Sequence, residues 1–274
     1  MDDAIANLDA AIGTHVVVID YEVVDWATAA LAEHLPTESL RKLKLASGEH
    51  LAAMLTTAYL GIVPVSLDLD GGVDLTFKAA DSANSSLLSL LGRHDVEFAD
   101  FEVKSLPGNF REHDAVMTRA VEKGEDPPPH VSTWVSANDV VEAASGMIAK
   151  AARQLKKKSS ADRARVVFVV SHFLDRPYVE CLLPMIGPAL APLTAPDGID
   201  SVWMFFAPAH LVVWSAVEQR WTQLLVGSFK EHGNAPEYDF GMALLQHYEG
   251  LFLERAGIDG PSPFYYGISD QAEG

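Results

Sequence analysis

The chain has one cysteine, Cys181, among its 274 residues. A single thiol excludes an intramolecular disulfide and a thiolate zinc site. Long apolar runs are missing too. The best stretches, Val166–Val170 and Ile199–Val213, are too short or too interrupted for a bilayer span, so no membrane partner is expected. The N-terminus lacks the charged, apolar and cleavage-site order of a signal peptide, which makes the cytoplasm the expected location. Positive charge is scarce: 20 Lys and Arg stand against 38 Asp and Glu, a formal net charge of −18. A surface of that sign repels phosphate backbones and argues against a general nucleic-acid binder. No internal repeat or low-complexity segment is visible.

About half of the residues are apolar (49%), enough for a substantial core. The scarce basic residues are gathered. Lys150, Arg153, Lys156, Lys157, Lys158, Arg163 and Arg165 put seven of the twenty into one short segment. Cations at a helix end complement the helix dipole; the same residues could also form a local phosphate-facing patch.

Residues 2–12 read as a short helix and Thr14–Tyr21 as a strand. Asp25–His34 and Glu38–Lys44 read as helices separated by Pro36. Ser47 is a suitable N-cap for a helix over Gly48–Tyr59. Val63–Leu69 and Val73–Lys78 flank Asp70-Gly71-Gly72, a hairpin signal because glycine accepts positive φ. Asp81–Leu91 reads as a helix, 106–130 as a long loop and Val131–Val135 as a short strand. Ser136 caps a long helix over Asn138–Lys158, and Arg165–Phe173 is a strand of the buried type. Tyr178–Leu190 reads as a proline-broken helix. Val202–Phe206, Leu211–Val217 and Trp221–Val226 read as successive strands, and Tyr238–Ala256 as a closing helix. Strands and helices alternate throughout, which is an α/β pattern. The expected organisation is an N-terminal extension over 1–45, a core over 46–175, and C-terminal strands with a closing helix over 176–274, as part of the same domain.

The run from Asp95 to Lys104 carries the chemistry. It sets acidic residues at 95, 97, 100 and 102 and a lysine at 104. Side chains alternate along a strand, so Asp100, Glu102 and Lys104 share one face while Phe101 and Val103 take the other. Carboxylates beside one ammonium can hold a hard divalent cation next to a proton-handling group. The first carboxylate is open between two residues. Asp95 stands seven positions before Glu102, and a bulge near Glu97–Ala99 would be needed to bring the two together. Asp100 matches Glu102 by strand parity.

Helix, hairpin, a strand carrying Asp…Glu-x-Lys, long helix and strand, in that order, resemble the core of the PD-(D/E)xK nuclease superfamily. The resemblance is carried by Asp95, Glu102, Val103 and Lys104, with a compact spacing similar to the MutH-like branch, and it covers roughly 45–175. His94 stands where the family's motif has proline. The resemblance implies a restriction-endonuclease-like mixed sheet flanked by helices, here with extra C-terminal antiparallel strands and a helix. It implies Mg²⁺ (or Mn²⁺) held by Asp95, Glu102, the Val103 carbonyl and Glu49 from the preceding helix, with Asp100 as the alternative to Asp95. It makes Lys104 the residue that positions or deprotonates the attacking water, with Glu102 and Asp95 completing the catalytic set. It assigns nucleic-acid contacts to Gln154, Lys156, Lys157, Lys158 and Arg163. DNA is the expected substrate, in defence, repair or mobile-element biology, and a two-fold dimer is the common default.

Each of these residues has a plainer account. Glu49 and Gln154 could be ordinary helix-surface residues, and Glu102 with Lys104 only a cross-strand ion pair. His94 and His113 flank the region, but a lone histidine is more often a turn or surface residue. Ser171-His172 with Asp175 lacks a nucleophile elbow. Asp68, Asp70 and Asp74 do not match a calcium loop and are better taken as hairpin-turn residues. Trp203, Trp214 and Trp221 are expected to pack in the core. A different class of function is an acidic, non-catalytic or immunity-type protein that binds a basic partner through its surface charge.

Overall fold

The computed structural model describes residues 18–43, 48–67, 72–78, 91, 93, 96–106, 123–124, 136–171, 190–206, 210–232, 235–240 and 242–258. The readings at 2–12, Ser47, Asp68, Asp70, His94, Asp95, His113, Val131–Val135, His172 and Asp175, and all but the last residue of the helices read over Asp81–Leu91 and Tyr178–Leu190, fall outside these residues.

Strand β1 is Val18–Ile19, followed by helices α1 (Tyr21–His34), α2 (Thr37–Lys42) and α3 (Glu49–Leu60). Then come β2 (Ser66–Leu67), β3 (Leu75–Lys78) and β4 (Phe98–Leu106). Helix α4 (Ala137–Lys158) leads into β5 (Ala164–Ser171), β6 (Ser201–Phe206) and β7 (His210–Ser215). The described chain closes with β8 (Arg220–His232), β9 (Ala235–Phe240) and α5 (Met242–Ala256). The fold is mixed α/β, with one nine-stranded sheet in the order β1-β8-β7-β6-β5-β4-β3-β2 and β9 on β8. β4, β5 and β6 run parallel, while β2, β3 and β4 form an antiparallel meander. β1 near the start of the chain pairs with β8 near its end, so one sheet spans all three sequence segments.

Helices cover both faces of the sheet, as buried parallel strands require. Ala99, Phe101, Val103, Val166, Phe168, Val170, Trp203 and Phe205 point to the side of α1, α3 and α5. Val167, Val169, Val202, Met204, Phe206, Val212 and Trp214 point to the side of α4. Strand alternation therefore leaves Asp100, Glu102 and Lys104 of β4 on the α4 side. Trp203 anchors the first layer through ring contacts with Tyr59, Phe101 and Phe168, and Trp214 and Trp221 are buried in the second. All three tryptophans pack in the core, as expected from their strands.

The local signals behave as their chemistry dictates, with four differences. Ser136 caps α4 and forms a reciprocal capping box with Asp139. The cap of α3 is Gly48, at φ 72° and with no side-chain cap bond. β4 starts at Phe98, so Asp95 precedes the strand. Arg220–His232 runs longer than Trp221–Val226, and β9 takes residues 235–240, the last part of which was expected to begin the closing helix. Among the described residues, no helix is long and apolar enough to cross a membrane.

Candidate functional site

The site forms where the β2–β3 hairpin meets β4. Leu75 pairs with Phe101 and Thr76 with Asp100 in antiparallel register, so one step further out sets Asp74 level with Glu102. The Val103 backbone N–H donates to Asp74 Oδ2 at 2.6 Å. This bond fixes Asp74 beside the Glu102-Val103-Lys104 segment. Glu102 is buried at 1% exposure. Its Oε1 accepts from Lys104 Nζ at 2.7 Å, and Lys104 also donates to the Val103 carbonyl at 3.0 Å.

Electrostatics mark the cluster. Burial pushes the Asp74 carboxyl from an ordinary 3.8 up to about 6, and the Glu102 charge adds to the rise. The Val103 N–H and the Lys104 ammonium oppose it, and Glu49 at the start of α3 raises it further. Glu102, Glu49 and Lys104 thus all act on Asp74. Perturbed groups of this kind mark functional sites more often than chance.

The opposite helix closes the site. Lys158, the last residue of α4, brings Nζ to 3.7 Å from Glu102 Oε2. That distance makes an ion pair but exceeds a hydrogen bond, and Oε2, though buried, has no hydrogen-bond partner. α4 is the crossover helix between parallel β4 and β5 and runs back along them. One turn of helix rises about 5.4 Å and two strand residues about 6.6 Å, so Gln154 lies level with Lys104. Gln154 Oε1 is likewise buried without a hydrogen-bond partner.

Asp100 takes a different part. Its Oδ1 accepts from Thr76 Oγ1 at 2.8 Å and from Arg163 Nη1 at 3.1 Å. The Arg163 guanidinium also lies over the Phe98 ring, 4.8 Å from its centroid. Asp100 is buried and Arg163 half-buried, and the two are engaged with each other one step away from Glu102. Lys156 and Lys157 lie on exposed α4 surface, and the Lys156 side chain crosses the turn at Gly198. Arg165 donates its backbone N–H to Asp200 at 2.8 Å, and Arg93 pairs with the same carboxylate at 3.6 Å.

Of the residues expected from sequence, Glu102, Val103, Lys104, Glu49, Gln154 and Lys158 are brought to one neighbourhood. The carboxylate beside them in the described structure is Asp74, which sequence reasoning took for a hairpin-turn residue. A signal for it was present. Asp74, Thr76 and Lys78 alternate with Leu75 and Phe77, so the second hairpin arm carries a polar face headed by Asp74.

Among the described residues, no group of three or more His, Cys, Asp or Glu side chains is arranged to hold a metal ion. Magnesium does not need such a cage. It is usually held by one or two carboxylates, with waters and substrate phosphates completing six oxygens. The orphaned Glu102 Oε2 and the neighbouring Asp74 fit that pattern. No protein-family model matches the chain, nor does any curated protein or solved structure.

Proposed function

We propose that the chain is a metal-dependent phosphodiesterase of the PD-(D/E)xK kind, with a restriction-endonuclease-like core, that cleaves nucleic acid, DNA foremost. One observation carries this: the Val103 N–H to Asp74 bond, which sets a second carboxylate beside the Glu102-x-Lys104 pair. The order α3, β2, β3, β4, α4, β5 supports the same reading.

Asp74 and Glu102 would hold Mg²⁺ or Mn²⁺, with the Val103 carbonyl and Glu49 as further oxygen donors. The ion would supply charge neutralisation at the scissile phosphate and acidify a bound water. Lys104 is fixed at two points and would position the attacking water or stabilise the charge developing on phosphorus. Gln154, whose Oε1 has no hydrogen-bond partner, would orient that water. Against the overall charge of −18 stands a local basic segment, of which Lys158 and Arg163 reach β4. Lys156, Lys157 and Lys158 would meet phosphates flanking the cut, while Arg163 would act by bracing Asp100.

The test uses purified protein with supercoiled, linear and single-stranded DNA and with RNA, each with Mg²⁺, Mn²⁺ or EDTA. Cleavage should require the metal and disappear in Asp74→Asn, Glu102→Ala and Lys104→Ala while circular dichroism stays native. Cleavage indifferent to all three substitutions, or absent on every substrate, sinks the proposal. The net charge favours a second reading, an acidic immunity-type protein that captures a basic partner. No cleavage together with salt-sensitive binding of a defined basic protein would favour it.

A further inference from the structure

Glu102 is served by two lysines that are not equivalent. Lys104 is anchored twice, to Glu102 Oε1 at 2.7 Å and to the Val103 carbonyl at 3.0 Å. Lys158 has one ion pair, at 3.7 Å to Oε2, and makes no hydrogen bond to it. Its charge offsets the buried carboxylate, yet the oxygen keeps its lone pairs. A buried acceptor left in this state favours an additional partner.

We propose that Lys158 is a tethered counter-ion for the cation position: it covers Glu102 Oε2 while no divalent ion is bound and swings away when one binds. This rests on the metal-dependent reading above and adds a regulatory element to it. A magnesium ion sits about 2.1 Å from its ligand oxygen. An ammonium 3.7 Å from that same oxygen would then lie within about 6 Å of a double positive charge, a repulsion that favours its displacement. Lys104 is held by its two bonds. Lys158 ends a helix on a long flexible stem, and the exposed surface of Lys156 and Lys157 lies beside it. The displaced ammonium therefore joins the phosphate-facing patch as the ion arrives. The device keeps the buried carboxylate neutralised at rest and couples loading of the ion to readiness for an anionic substrate.

The test is calorimetric titration of Mn²⁺ and Mg²⁺ into metal-free protein at low ionic strength, for wild type, Lys158→Met, Lys158→Gln and Lys158→Arg. Lys150→Met on the same helix is the control, and Glu102→Ala monitors the site itself. Removing the competing charge should tighten metal binding about tenfold or more in Lys158→Met and Lys158→Gln. Lys158→Arg should stay within about threefold of wild type, and Lys150→Met should match it. In the same proteins, with Ca²⁺ as a non-cleaving ion, DNA binding should lose about one from its salt slope in Lys158→Met, and without metal the slope should match wild type. Unchanged or weaker metal affinity in a folded Lys158→Met or Lys158→Gln overturns the inference and leaves Lys158 as a helix-end cation. If wild type binds metal and Glu102→Ala does not, that failure touches only Lys158. If no variant binds metal, the inference fails together with the metal-dependent reading.

Discussion

Asp74 and Val103 are joined across two strands by a 2.6 Å hydrogen bond from the Val103 N–H to Asp74 Oδ2. The bond holds a carboxylate in a half-buried place where Glu102 and Glu49 both oppose its ionisation. Charge on Asp74 is therefore held there at a cost to the fold.

That cost has a defined pH dependence. The folded Asp74 carboxyl titrates at about 6, above the ordinary 3.8, so the folded state binds its proton more tightly than the unfolded chain does. Stability linked to this group is highest below about 3.8, falls as pH rises, and reaches its full deficit above about 6. Asp74→Asn keeps an acceptor for Val103 and has no charge to lose. Without metal it should be more stable than wild type by about 1–3 kcal/mol at pH 8, the upper end being the full gap in pKa. The difference should vanish near pH 4. Urea denaturation across pH 4–8 measures it. An equal offset at every pH, or destabilisation at pH 8, would refute this account of Asp74.

Arg163 and Asp100 make a separate prediction. Asp100 is buried at 1% exposure and is held by Thr76 and Arg163. Arg163→Met removes the neutralising charge and leaves a buried carboxylate on one hydroxyl, at a cost of about 1–3 kcal/mol given the partial solvent access of Arg163. Asp100→Asn in the same protein should recover part of the loss. A double-mutant cycle read by denaturant midpoints tests it, and additive costs would mean that the two residues do not act as a pair.

The parts of the fold that were legible in the sequence are those set by local chemistry. Ser136 with Asp139 fixed the start of α4, Val166–Val170 announced a buried strand, and Gly71-Gly72 separated the two arms of a hairpin. Glu102 and Lys104 followed from strand alternation alone. Asp74 did not, because its closeness to Glu102 is created by pairing across 28 positions of chain, 74 to 102. Asp95 lies outside the described residues, and β4 begins at Phe98. Strand β9 was missed for a similar reason: Ala235–Phe240 is a strand because β8 extends to pair with it.

Gly48 tests how tightly α3, and with it Glu49, is seated. It has φ 72°, and a Cβ there would come within 2.8 Å of Val170 Cγ2 and 2.9 Å of Val170 Cβ. Gly48→Ala combines an unfavourable left-handed conformation with a clash against a buried β5 side chain, so it should cost about 2 kcal/mol or more. Val170→Ala in the same protein removes the two Cγ contacts but keeps the Cβ at 2.9 Å, so it should relieve only part of the clash and none of the backbone strain, which is about 1 kcal/mol by itself. Thermal melts of the two single variants and the double variant check this. A neutral Gly48→Ala would show that the helix start is free to shift.

Gln154 separates stability from activity. Its Oε1 is buried with no hydrogen-bond partner, and an unmet buried acceptor costs about 1–3 kcal/mol. Gln154→Met fills a similar volume without that atom and should leave the fold unchanged or stabilise it by about 1 kcal/mol. If the amide orients water or phosphate beside Lys104, the same change should lower kcat at least tenfold with little effect on metal affinity. A structural role predicts the reverse, with lower stability and unaltered turnover. Chemical denaturation and single-turnover cleavage on one protein preparation distinguish them, because a residue retained for chemistry at the expense of the fold moves the two measurements in opposite directions.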